Sequence, residues 1–137
     1  MSHMDALTLL IEIIVNALLC FFFYRNLKLP GMNMIFLGSV MNFTVILANF
    51  GYMPVDPALG LEHGYDTVLA ALKNGEVFAH ALITHETSFT ILADVIAIPP
   101  PWPFPKTISL GDVFIDLGVI LLIFKGMKAG HTKYFSV

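Results

Sequence analysis

Asp94 and Asp112 stand on either side of a proline-rich block, Pro99-Pro100-Pro101-Trp102-Pro103-Phe104-Pro105. Two carboxylates brought close together share one proton: one pKa rises and the other group stays ionised. That arrangement activates a water against a peptide bond. A chain stiffened by prolines follows an extended path and folds back only at its ends, which is where these two aspartates lie. A third carboxylate, Asp116, sits inside the apolar run Ser109–Phe124. Near the centre of a bilayer an aspartate costs roughly 2.5–3.5 kcal/mol on insertion scales, so it needs a partner, water or a function. Asp112 has a structural explanation. It comes three residues after Ser109 in Ser-Leu-Gly-Asp, the spacing of a capping box with Asp in place of Glu, and its charge favours the positive end of a helix dipole. Asp94 has no such explanation.

Other polar residues interrupt the apolar runs. Glu12 and Asn16 are four apart on one face of the first run, and Asn42 and Asn49 are seven apart on one face of the second. Asparagine commonly joins helices in membranes. The expected structural role of Glu12, Asn16, Asn42 and Asp116 is an intramembrane polar cluster that fixes a bundle. The functional alternative is a proton or cation site around Asp116. Asn49 is also a candidate support for an Asp94–Asp112 dyad.

Composition defines the elements that hold these groups. Of 137 residues, 57% are hydrophobic and 12% charged, with a mean hydropathy of +0.80. Soluble domains carry about 25% charge, so the composition reads as an integral membrane protein. The expected fold is all-α, one membrane domain over 1–137, with three transmembrane helices at about 6–24, 32–50 and 109–124. A spanning helix needs about 20 residues, so the third run is short and should start earlier or thin the bilayer. Residues 51–107 form a compact outer segment of short helices, with a β-hairpin as the alternative for part of it. Asp66–Leu72 has helical spacing between Gly64 and Gly75. Val77–Ile83 and Phe89–Ile98, separated by Thr84-His85-Glu86-Thr87, suit strands or short helices equally. Thr87 or Ser88 is the candidate cap of a short helix carrying Asp94. The proline block, with Trp102 at headgroup level, reads as a rigid interfacial brace.

Lysine and arginine set orientation. Arg25 and Lys28 follow the first run, and Lys125, Lys128 and Lys133 follow the third. Both regions are expected on the cytoplasmic side, with the N-terminus and residues 51–106 outside and the C-terminus inside. The first run lacks a preceding positive charge and so does not read as a cleaved signal peptide. The net charge of −3 argues against nucleic acid as a partner. The lone Cys20 excludes an internal disulfide and a thiolate metal cluster. His63, His80, His85 and Glu86 lack a recognised ligand spacing, and no nucleotide or phosphate-loop motif is present. Neither a metal nor a cofactor is expected. Asn42-Phe43-Thr44 matches a glycosylation sequon but lies within an expected span.

Two resemblances bear on function. Leu92-Ala93-Asp94-Val95-Ile96, Phe104-Pro105 and Leu110-Gly111-Asp112-Val113-Phe114-Ile115 resemble the end of lipoprotein signal peptidases, which are membrane aspartyl peptidases. Asn49-Phe50-Gly51 echoes an upstream motif of theirs. Ser109 and Gly111 depart from the Asn and Ala of their second motif, and those enzymes have four spans. The resemblance implies Asp94 and Asp112 as catalytic aspartates. A broader likeness covers Asn42-Phe43, Asn49-Phe50-Gly51-Tyr52-Met53-Pro54-Val55, His85-Glu86-Thr87, Asp94-Val95-Ile96, Pro103-Phe104-Pro105 and Ser109-Leu110-Gly111-Asp112-Val113. This pattern resembles a bacterial family of small membrane proteins known as a domain of unknown function. It implies a helical membrane fold in the bacterial cytoplasmic membrane, with more N-terminal spans than are seen here. Three functional expectations follow. The first is a non-enzymatic structural or accessory component that binds the bilayer and other membrane proteins or itself. The second is an aspartyl peptidase on Asp94 and Asp112. The third is the proton or cation site at Asp116.

Overall fold

The computed structural model describes residues 6–58, 70, 72, 74, 79–99, 101 and 106–134. Most of the helix expected at 66–72, and Trp102 and Phe104 of the proline block, lie outside the described residues, as do His63 and Glu62.

Three helices dominate: α1 (Ala6–Arg25), α2 (Met32–Ala48) and α3 (Leu110–Tyr134). α1 is apolar apart from Thr8, Glu12, Asn16 and its terminal Arg25, and it holds neither glycine nor proline. It stops where the Asn26 side chain donates to the Phe22 carbonyl at 2.7 Å and a series of tight turns leads to Pro30-Gly31. Gly31 takes the left-handed conformation, φ 81°, that opens α2. Among the described residues, α1 alone is both long and apolar enough to cross a membrane. Its 20 residues rise about 30 Å, close to a hydrocarbon thickness. α3 neither starts before Ser109 nor stops at 124. It continues to Tyr134, because nothing after Phe124 breaks a helix.

α2 packs against both α1 and α3. Its buried positions, Met32, Ile35, Gly38 and Val45, recur every three, three and seven residues and form one stripe. α3 runs antiparallel along that stripe, and glycines set the separation. Gly31 faces Gly118, and Gly38 faces Gly111, seven residues apart on each helix. A Cβ at Gly118 would lie 2.6 Å from the Gly31 carbonyl oxygen, so the backbones touch, as small residues allow in helix pairs.

Between α2 and α3 the described chain has helix at residues 57–58, 70 and 72, and four short strands joined by turns and extended backbone. The strands are β1 (Met53–Val55), β2 (His80–Leu82), β3 (Ile96–Ile98) and β4 (Lys106–Ile108), with one 3-10 turn at Thr90–Leu92. β1 and β2 pair in parallel, Met53 opposite His80 and Val55 opposite Leu82. The other edge of β1 bonds Asp94: its N–H donates to the Pro54 carbonyl at 2.9 Å, and its carbonyl accepts from Asp56 N–H at 3.1 Å. The antiparallel hairpin is β3–β4, with Ile96 opposite Ile108 and Ile98 opposite Lys106. It does not join the 77–83 and 89–98 runs. β1 takes a partner from each run, so the two never pair with each other. No side chain caps the 3-10 turn: Phe89, at φ 54°, occupies the cap position expected of Thr87 or Ser88.

Candidate functional site

The β3–β4 register brings the two ends of the proline block together. Asp94 precedes Ile96 by two residues and Asp112 follows Ile108 by four, so pairing Ile96 with Ile108 draws both aspartates to the strand-bearing end of the α2–α3 pair.

Asp112 is fully engaged. Its Oδ1 accepts from Asn42 Nδ2 at 2.8 Å, and its Oδ2 accepts from Ser109 N–H at 3.0 Å. Asp112 N–H donates to Ser109 Oγ at 3.0 Å, completing the reciprocal capping box. Ser109 Oγ then donates to Asn42 Oδ1 at 2.9 Å. Ser109 is wholly buried. Asn42 therefore ties α2 to the first turn of α3. Gly111 permits this, because a Cβ there would collide with Asn42 Oδ1.

Asp94 is 5% exposed, and its Oδ1 is buried without a hydrogen-bond partner among the described residues. Its Oδ2 lies 3.9 Å from Nε2 of His80 on β2. Burial pushes the Asp94 carboxyl up to about 6. The negative charge of Asp112 adds to the rise, while His80 and Lys106 oppose it. Desolvation disfavours the charged form, and a nearby carboxylate reinforces that preference. The chemical consequence is a carboxyl that holds a proton in mildly acidic conditions beside one whose oxygens are bound as acceptors.

Asn49 holds the strand segment from below. It is buried. Its Nδ2 donates to the Val45 carbonyl at 2.8 Å and the Ser88 carbonyl at 2.9 Å, and its Oδ1 accepts from Ser88 N–H at 2.9 Å. The amide thus caps α2 and clamps the chain six residues before Asp94. The sharp turn this requires is visible in Phe50, φ 55°, and Gly51, φ 91°.

The other expected grouping separates into parts. Asn16 bonds Glu12 on α1, to its carbonyl at 2.9 Å and its carboxylate at 3.4 Å. Asn42 is committed to Asp112 and Ser109. Asp116 lies on an exposed face of α3. Asn16 and Asn42 do face one cavity of about 260 Å³, which Ser39, Leu19, Phe23 and Ile115 also line. His85 and Glu86 sit exposed in the turn after β2. Among the described residues no three metal-ligating groups converge.

Sequence reasoning undervalued His80, Lys106 and Ser109. Ser109 and Asp112 carry a readable capping signature, but the reach of Asn42 to both depends on Gly38 facing Gly111. His80 reaches Asp94 only because the parallel β1–β2 register places it there, and no local spacing encodes that.

The model of a family of unknown function, DUF5317, matches residues 1–124. An uncharacterised protein of Thermotoga maritima is 31% identical over 104 residues, which make up 76% of this chain and 56% of that protein. The chain thus spans little more than half the length of that relative. No solved structure matches it significantly.

Proposed function

The chain belongs to DUF5317, a family of unknown function, and we propose that it acts as a non-catalytic helical component of a membrane assembly. In this reading α1, α2 and α3 are three spans in the bacterial cytoplasmic membrane, with the N-terminus and strand layer outside. The carrying observation is α1. None of its residues is buried, and Leu7, Leu10, Leu18, Phe21 and Phe22 are each more than half exposed. Lipid covers such a surface, and so do other membrane helices. The outer strand layer is pinned to the helix pair by Asn42, Ser109, Asp112 and Asn49 and serves as a rigid cover. A photo-crosslinking residue at Leu18, on the open face of α1, should give a discrete adduct with a second copy or another membrane protein. The same residue at buried Ile35 should give none. A crosslinker at Leu18 that reacts with lipid alone, in a chain that is a monomer in mild detergent, overturns this reading.

A second reading has its own observation. A buried carboxyl with one oxygen unbonded destabilises a fold by about 1–3 kcal/mol or more, and an aspartyl dyad is a reason to keep it. Here Asp94 and Asp112 flank a water that attacks a membrane-embedded or lipidated peptide. Asp94, protonated, donates to the scissile carbonyl, and ionised Asp112 takes the proton of the water. The closed arrangement must open for substrate, because Asp94 Oδ1 is buried. Asp94→Asn and Asp112→Asn should then leave the helices assembled and remove cleavage of a lipidated membrane peptide. Equal processing by wild type and both variants excludes the dyad.

A further inference from the structure

The opposite end of the helix pair carries a site of different chemistry. Between α1 and α2 the chain makes consecutive turns: Leu29 N–H donates to the Asn26 carbonyl at 2.9 Å, and Met32 N–H to the Leu29 carbonyl at 3.2 Å. These turns border a groove of about 370 Å³ lined by Tyr24, Arg25, Leu27 and Lys28. The Tyr24 ring is steadied against Phe36, with centroids 5.9 Å apart. Arg25 and Lys28 are both exposed. Among the described residues neither has a carboxylate partner: the ion pair found there, His80 with Asp94, belongs to the strand-bearing end.

The groove therefore combines a guanidinium, an ammonium and a phenol on one side with apolar surface beside it. Phe21 and Phe22 are 61% and 56% exposed, and Leu27 and Leu29 38% and 46%. Guanidinium groups bind phosphate oxygens in bidentate fashion, and an ammonium adds a mobile point charge. α3 passes this level at Gly118, opposite Gly31, and continues with exposed Lys125 two turns further on. Arg25, Lys28 and Lys125 are thus exposed basic residues in this part of the molecule.

We propose that the Tyr24–Arg25–Leu27–Lys28 groove binds a phosphate group, with Arg25 and Lys28 as its cationic ligands and Tyr24 as a hydroxyl donor. The phosphate comes from an anionic phospholipid headgroup, whose chains lie on Phe22 and Leu27, or from a free phosphate-bearing anion. The lipid source rests on the bilayer reading above, whereas the phosphate site does not.

The test uses the full chain, purified in detergent and freed of lipid. Native mass spectrometry counts adducts with phosphatidylglycerol and with phosphatidylcholine at matched concentrations. A parallel arm adds inorganic phosphate at constant ionic strength and reads the unfolding temperature. Wild type should retain phosphatidylglycerol over phosphatidylcholine, and the Arg25→Gln/Lys28→Gln variant should lose about thirtyfold in affinity, roughly one basic residue's contribution twice over. Stabilisation of wild type by inorganic phosphate equal to that by phosphatidylglycerol, and lost in the variant, assigns the free anion as ligand. Indistinguishable behaviour of wild type and variant in both arms overturns the site. Carbonate extraction of cell membranes keeps the two ideas apart. A variant that stays membrane-integrated but binds normally removes the groove alone, and a wild type released by carbonate removes the bilayer reading alone.

Discussion

At the scale of single residues, Asp94 is where the fold and any chemistry compete. A group whose pKa is raised on folding binds more protons folded than unfolded, so its contribution to stability falls as pH rises. Asp94 moves from an ordinary value of about 3.9 to about 6. Its favourable contribution is thus fully present below about pH 4, is lost as pH climbs through 6, and is absent above 7. Two pKa units correspond to about 3 kcal/mol. Unfolding midpoints measured from pH 3.5 to 8 should show that decline in wild type. In Asp94→Asn this component should vanish, leaving the variant the more stable protein at pH 7.5 by up to about 3 kcal/mol. Because His80 lowers the Asp94 value, His80→Gln should shift the decline toward higher pH. A wild-type profile that rises between pH 4 and 6, and a His80→Gln profile that moves the other way, would each contradict this account. The sequence marked Asp94 as the aspartate lacking a structural role and Asp112 as a helix cap. It could not show that one Asp94 oxygen goes unbonded among the described residues, which depends on β1 pairing with β2 on one edge and bridging to Asp94 on the other.

At the scale of elements, the glycines of the α2–α3 seam govern how the site is held. A methyl at Gly118 meets the Gly31 carbonyl oxygen and Ile35 Cγ1 at 2.6 Å, and neither has room to move along a packed helix. Overpacking of this kind costs about 1–3 kcal/mol. Gly126, on the same helix, has nothing within 4 Å of an added Cβ, so Gly126→Ala should gain up to about 1 kcal/mol from helix propensity. Unfolding of the two variants should therefore move in opposite directions. Equal effects would mean that α2 and α3 do not touch through glycine. The three helices were legible in the sequence because each is a long apolar run, and their starts were read to within a residue. The strands were not. Each is three residues long, too short for periodicity to register, and pairing partners such as Met53 and His80 are far apart in the chain. Of the short helices expected over residues 51–107, the described residues show helix at 57–58, 70 and 72 and a 3-10 turn at Thr90–Leu92, whereas the 77–83 and 89–98 runs contribute strands. Helical spacing is a local property, whereas strand pairing is settled by which edge is available.

At the scale of the whole molecule, antiparallel packing sorts charge to two ends. Gly31 opposite Gly118 and Gly38 opposite Gly111 place the α1–α2 turn and the later part of α3 at one end, with the strand layer at the other. The first end holds Arg25, Lys28, Lys125 and Lys128; the second holds Asp56, Glu86 and Asp94 with Lys106. On the proposed bilayer reading the basic end stays in the cytoplasm and the Asp94 site lies on the outer face. The lone Cys20 makes this directly measurable. In a Cys20→Ser background, Glu86→Cys should react with a membrane-impermeant maleimide in intact spheroplasts, because Glu86 is exposed in the turn after β2. Lys128→Cys, exposed on α3, should react only after lysis. The reverse pattern would put the phosphate groove outside and the carboxylates in the cytoplasm, and full labelling of both before lysis would remove the spanning arrangement altogether. The comparison is internal to one fold, since both cysteines replace exposed side chains and neither touches the glycine seam or the Asn42–Asp112–Ser109 link. A difference in labelling therefore reports which side of the membrane each end occupies.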